Sequence, residues 1–166
     1  MLMLTPEVAM FSPAQVTTLS EALRSGQPLA VFSVIDAIAT AAIGCKMITI
    51  MRYRPDHSTL ERVYSNRPDD YPVGGSKIKG QTPWKQQLLD EGRVVLSNDM
   101  DALRVNFEDS GALQALGIDA ILNIPIVDQG QCRGTLNFGH CSGWFTQHHI
   151  DVGTVLAALL VSAVVG

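Results

Sequence analysis

The sequence predicts an α+β fold: a mostly antiparallel sheet of five to six strands, with the N- and C-terminal helices on one face and a helix/loop cover over a pocket on the other. Three observations carry this. Helical patterning occupies both ends of the chain. Between those ends strand follows strand at two points, which a βαβ repeat does not do and an antiparallel sheet does. The stretch between the middle strands is loop-rich, too irregular to extend the sheet and well placed to cover it.

The first helix starts at Ser12-Pro13, a capping residue followed by proline at the first helical position, and Gly26 ends it. A second helix runs from about Leu29 to Ile43, because Val31, Val34, Ile35, Ile38 and Ala42 recur at helical spacing. Gly44 stops it. Cys45 to Arg54 reads as a strand, too continuously apolar at Met47 to Met51 for an exposed edge, and Pro55-Asp56 turns the chain into a second strand, Leu60 to Ser65. Asn66 to Gly80, punctuated by Pro68, Pro72, Gly74 and Gly75, crosses from the sheet toward one face. Thr82-Pro83 then caps a helix that Gly92 closes.

Val94 to Leu96 is a short strand, and Asp109 or Ser110 caps a short helix ending at Gly117. Ile121 to Val127 and Cys132 to Phe138 are strands joined by Asp128-Gln129-Gly130, a hairpin turn in which glycine takes positive φ. Thr146 caps the last helix, with Asp151 in its favourable first turn.

Composition narrows the function classes. With 166 residues, 46% apolar and 17% charged, the chain reads as one domain over 1–166, with a core at about 28–164 and an N-terminal helix at about 13–25. The net charge is −4, and the basic residues (Lys46, Arg52, Arg54, Arg62, Arg67, Lys77, Lys79) are scattered. Nucleic acid, which needs a coherent positive patch, is therefore not an expected partner. Three cysteines, Cys45, Cys132 and Cys141, without CxxC spacing point to a reducing cytoplasm. The opening MLMLTPEVAMF lacks the basic flank and apolar run of a signal peptide. Val152 to Val165 is apolar, but these 14 residues fall short of the roughly 20 that span a bilayer, so no membrane partner is expected.

Several strings, in this order of elements, resemble the GAF domain family, the small-molecule sensor fold of phytochromes, cyclic-nucleotide phosphodiesterases and many bacterial regulators. They are Tyr71-Pro72-Val73-Gly74-Gly75, Thr82-Pro83-Trp84, Ile121-Leu122-Asn123-Ile124-Pro125-Ile126, Gly134-Thr135-Leu136-Asn137-Phe138 and Trp144-Phe145-Thr146. The resemblance covers roughly Pro28 to Val164. It is strongest to freestanding single-domain bacterial members and implies the GAF-like (profilin-like) architecture. Against the cyclic-nucleotide-binding signature, Asn137 and Phe145 match, but Phe138 stands where the lysine belongs and His149-Ile150 where the acidic pair belongs. The free-methionine-sulfoxide reductases of this fold use cysteines in and before the lid. Between Lys79 and Gln131 this chain has none, so that activity is not expected, and neither is bilin attachment through a pocket thiol.

The resemblance makes Trp84, Asn106, Phe107, Asp109, Thr135, Asn137 and Arg52 the candidate ligand-binding residues. Several have a structural alternative. Trp84 either stacks on a flat ligand or closes the sheet edge. Asp109 either meets the ligand or caps a helix. Asn137 meets the ligand or pins a loop, Thr135 shares its face, and Arg52 with Arg54 is aimed at an acidic ligand or solvated. Asn123, of opposite parity to Leu122 and Ile124, is expected to face the terminal helices.

His140, Cys141, His148 and His149 lack HxxxH or CxxC spacing, so neither metal nor cofactor is expected, and Gly74-Gly75-Ser76-Lys77 lacks the full glycine spacing of a phosphate loop. The leading function is a non-catalytic small-molecule sensor or regulator. It would act as a homodimer and signal to a separate output protein through Val31, Ile35, Ile38, Val155, Leu156, Leu159, Leu160 and Ala163. A small metabolite-acting enzyme using the same pocket, and an interaction module with a collapsed pocket, are the alternatives.

Overall fold

The structure, a computed structural model, describes residues 10–78 and 80–166. Residues 1–9, read above for a leader, and Lys79, counted among the scattered basic residues, lie outside the described residues. The strands are β1 (Met47–Arg54), β2 (Thr59–Ser65), β3 (Ser76–Ile78), β4 (Val95–Ser97), β5 (Ala120–Asp128) and β6 (Gln131–His140). They form one sheet in the order β3-β2-β1-β6-β5-β4, with every neighbouring pair antiparallel. The expected α+β architecture is the one observed. The hairpin between β5 and β6 turns on Gln129 and Gly130, both at positive φ (49° and 78°), the pairing that matches the twist of the flanking strands.

One face carries helices α1 (Pro13–Arg24), α2 (Pro28–Ala42), α6 (Gln147–Leu159) and α7 (Val161–Val165). Ser12 caps α1 and Thr146 caps α6, each accepting from the backbone N–H three residues on. Ile48 and Ile50, Leu122, Ile124 and Ile126, and Leu136 and Phe138 point from the three central strands into this layer. There they meet Ile35, Ile38, Val152 and Leu156 in one continuous core. Gly153 sets the approach of α6: a Cβ there would lie 2.2 Å from Ile124 Cδ1 and 3.1 Å from Phe138 Cε2.

The other face is covered by α3 (Pro83–Lys85), the π-helical turn Gln86–Asp90 that continues it, α4 (Met100–Asn106), α5 (Ser110–Ala115) and the crossing between β2 and β3. Thr82 caps α3 as expected. Three elements differ from the sequence expectation. The crossing ends in the edge strand β3, α4 forms within the covering excursion, and the last helix breaks at Leu160 into α6 and α7. β3 and α4 are short pieces whose stability comes from neighbours rather than from their own pattern.

The expected dimer face is corrected by burial. Val31, Ile35, Ile38, Leu156, Leu160 and Ala163 are all within the protomer's own core, none more than 4% exposed. Side chains already removed from water gain nothing by meeting a second copy. Of that set, Val155 at 39% exposed and the half-buried Leu159 stay on the surface.

Candidate functional site

Between the sheet and its cover lies a cavity enclosing about 70 Å³ of solvent-sized space, lined by residues of β1, β2, β3, β5 and β6, the crossing, α3, α5 and the α4–α5 junction. At roughly 15 Å³ per water it has room for about five waters, well below the roughly 300–1,000 Å³ of pockets for drug-sized ligands. Its apolar walls come from Met47, Leu60, Leu113 and Ile121, closed by Trp84 and Phe107, which meet edge-on at 6.1 Å.

The floor is a chain of buried polar side chains. Trp84 Nε1 donates to Asn123 Oδ1 (3.0 Å), and Asn123 Nδ2 donates to Asn137 Oδ1 (2.7 Å). Asn137 Nδ2 in turn reaches Thr135 Oγ1 (3.0 Å), Thr49 Oγ1 (3.2 Å) and the Thr49 carbonyl (3.4 Å). The direction of this relay follows from its ends: an indole N–H only donates and a backbone carbonyl only accepts. Strand parity puts the group together. Thr49, Asn123, Thr135 and Asn137 alternate with the apolar residues that β1, β5 and β6 send to the helices, and Asn123 and Asn137 are directly opposed in register.

The charged part of the wall comes from β2 and the crossing. The Arg62 backbone N–H donates to Gly75 O (2.8 Å), and its carbonyl accepts from Gly74 N (2.9 Å). Its Nη1 donates to Pro72 O (3.1 Å), and its guanidinium lies over the Tyr71 ring, 5.2 Å from the centroid. Lys77 Nζ pairs with Asp109 at 3.8 Å. Two donors here are buried without a hydrogen-bond partner, Arg62 Nε and Tyr71 Oη. Burial pushes the Arg62 guanidinium below its ordinary pKa and the Tyr71 hydroxyl above its own. The neighbouring Asp109 carboxylate adds to the Tyr71 shift.

Of the candidate ligand residues, the structure brings Trp84, Phe107, Asp109, Thr135 and Asn137 around the cavity. Asp109 makes no side-chain cap to α5; its carboxylate lies 3.8 Å from Lys77 Nζ instead. Asn106 lies outside the lining, its amide donating to Ser97 Oγ at 2.9 Å. Arg52 is also outside. It faces the helical layer, donating from Nε to Val164 O (2.9 Å) and lying 3.8 Å from Glu61, which also neighbours Arg54 at 3.9 Å. Asn123 is corrected in the opposite sense. Leu122 and Ile124 take the helical face, so Asn123 faces the cavity.

Arg62, Tyr71, Lys77 and Thr49 are lining residues that sequence reasoning did not place among the candidate ligand contacts. A β-bulge explains the first. Met51 pairs with Arg62 and Ile50 with Tyr64, leaving Val63 as the extra residue. Arg62 thus faces the cavity while Tyr64, two residues on, faces the helices and donates to Asp36 Oδ2 at 2.6 Å.

The thiols stand apart from the cavity lining. Cys132 is buried, donates to Gly134 O at 3.2 Å, and is pushed up by burial to a pKa of about 11. Burial likewise raises Cys45 to about 12. His140 and Trp144 stack at 3.8 Å at the far end of β6, with His149 next in the pile at 6.2 Å. Among the described residues no group of three or more His, Cys, Asp or Glu is placed to hold a metal ion. No described helix is long and apolar enough to cross a membrane.

No protein of curated function matches this sequence. Solved structures do share the fold. A methyl-accepting chemotaxis protein segment superposes with a TM-score of 0.68 at 18% identity, covering 88% of this chain and 93% of that one. The GAF domain of an Acinetobacter phosphoenolpyruvate-protein phosphotransferase gives 0.67 at 13% identity, over 93% and 95% of the two chains. A phycoerythrobilin-bound GAF domain from a cyanobacterial phytochrome gives 0.68 at 13% identity, over 90% and 92%. At such identities the likeness is one of fold alone. The GAF domain family model matches residues 31–165, which takes in every cavity-lining strand and the whole cover, and the chain belongs to the GAF domain family.

Proposed function

We propose that this chain is a small-molecule-binding sensory GAF domain without catalytic activity, and that it works as a homodimer. One observation carries the binding reading: the cavity wall holds desolvated donors, Arg62 Nε and Tyr71 Oη, that serve no strand, helix or cap. Groups buried without partners are costly, by about 1–3 kcal/mol each, and a ligand that met them would recover that cost. The non-catalytic part is supported by Cys132, whose burial raises its pKa and keeps it a thiol rather than a nucleophile.

The dimer reading moves from the buried residues to the outer row of α2, where Leu29, Ser33, Ala37 and Ala41 recur every fourth residue and are all exposed, and to the exposed Val155 of α6, which packs against α2. Such an interface would pass ligand-dependent shifts of the sheet to a separate output protein.

Native mass spectrometry of the purified protein, before and after denaturation, tests both parts. The expected result is a dimer carrying an extra mass that denaturation releases, and a monomer in the variant Leu29→Glu/Val155→Glu. A wild-type protein that stays monomeric at every accessible concentration would end the dimer reading. An empty cavity that also remains silent to a broad metabolite screen would end the binding reading in favour of a closed interaction module.

A further inference from the structure

We propose that the cavity takes a short-chain carboxylate, an organic monoanion of a few carbons, with its oxyanion at Arg62 and Tyr71 and its chain against Leu60, Leu113 and Ile121. This rests on reading the cavity as a ligand site. The argument is an inventory of unused hydrogen-bonding capacity. Because the relay runs from Trp84 to Thr49, Asn137 Nδ2 donates to the hydroxyls of Thr49 and Thr135, leaving each hydroxyl proton free to donate onward. Asn123 Nδ2 spends one N–H on Asn137 and keeps another. Arg62 Nε and Tyr71 Oη, buried and unpartnered, add two more donors. Against these five donors the neutral side-chain acceptors left are single lone pairs on Asn123 Oδ1 and Asn137 Oδ1; the other acceptor is the Asp109 carboxylate, whose charge Lys77 balances at 3.8 Å. The neutral part of the wall thus offers more donors than acceptors, which suits a ligand rich in acceptors.

Charge narrows the class. Arg62 and Lys77 carry two positive charges and Asp109 one negative, so the lining has a net charge of +1. A monoanion neutralises it. A phosphate dianion would reverse it, and an amino acid's ammonium would have to compete with Lys77 for Asp109, the one carboxylate of the lining. The apolar wall and the room for about five waters favour a short hydrocarbon chain over an inorganic ion. The guanidinium is positioned in advance by Pro72 O and the Tyr71 ring, so little side-chain freedom is lost on binding.

The test is a titration followed by ¹H–¹⁵N correlation spectra, reading the Trp84 indole N–H, distinguished from Trp144 with the variant Trp144→Phe. The probes are sodium propionate, sodium butyrate, propionamide and sodium phosphate at matched ionic strength. Propionate or butyrate should give a saturable Trp84 shift that propionamide and phosphate do not. Arg62→Met should weaken it at least tenfold, and Tyr71→Phe, which removes only an unpartnered hydroxyl and so preserves folding, should weaken it several-fold. An equal response to propionamide would overturn the anion class while leaving the small-molecule reading intact. An equal response to phosphate would overturn the organic part. Silence toward every probe would overturn the carboxylate proposal, while the retained-mass experiment decides the broader reading separately.

Discussion

The two faces of the sheet are built to different rules. On the helical face, alternate residues of the three central strands pack against α2, α6 and α7 in one continuous apolar cluster, with close approach at Gly153. On the cover face, the apolar residues form two smaller clusters, one around Trp84 and Leu88 and one around Leu103 and Leu113, with Phe107 touching both. Between these clusters run the asparagine relay and the cavity. The first face is close-packed and anchors the fold, so changes of volume there are felt at full cost. The second keeps polar groups in the interior and leaves space among them, which is what a binding site requires and a pure core avoids.

The sharpest test of this division is Phe138→Ala, which empties the centre of the helical face. It should cost about 3–5 kcal/mol in a urea unfolding curve, enough to threaten folding at 25 °C. Next is Asn123→Ala on the cover face, expected to cost about 1–3 kcal/mol by stripping Trp84 Nε1 and Asn137 Oδ1 of their partner, and to move the Trp84 indole resonance. A loss under a few tenths of a kcal/mol would mean the relay contributes nothing to the fold.

Overpacking distinguishes the faces more finely. Ala157→Leu on α6 should destabilise by about 1–3 kcal/mol, whereas Leu113→Phe, beside the cavity, should be neutral or stabilising by up to about 1 kcal/mol. Equal losses would show that the cavity is closed to added volume.

The smallest effect concerns pH. Burial lowers the pKa of His140 and His149 below their ordinary 6.5, with Lys46 and His148 respectively adding to the effect. The unfolded chain therefore binds more protons, and stability rises with pH through the interval between the folded values and 6.5. The melting temperature should drop as pH is lowered from about 7.5 to 5.5, and the variant His140→Gln should flatten part of that slope.

The helical face was legible in the residues themselves. Ile48 and Ile50, Leu122 and Ile124, and Leu136 and Phe138 alternate as half-buried strands do, and the caps at Ser12, Thr82 and Thr146 sit where side-chain oxygens meet the first free N–H groups. The cover face was legible in part, at Trp84, Phe107, Asp109, Thr135 and Asn137. It failed where position depends on distant partners. The Val63 bulge reverses the parity of β2, β3 exists only because β2 offers it an edge, and Arg52 is drawn to a carbonyl 112 residues away. Burial of Val31, Ile35 and Leu156 inside the protomer escaped for the same reason, since an apolar helix stripe looks alike whether it faces its own sheet or a second copy.

The sequence by itself thus determined the order and type of the main elements and the family they build, because capping, turn chemistry and periodicity act over a few residues. Only the tertiary structure decided which polar groups converge on the cavity and which apolar faces remain free. Those depend on register, bulges and contacts between segments far apart in the chain, where no local pattern carries the information.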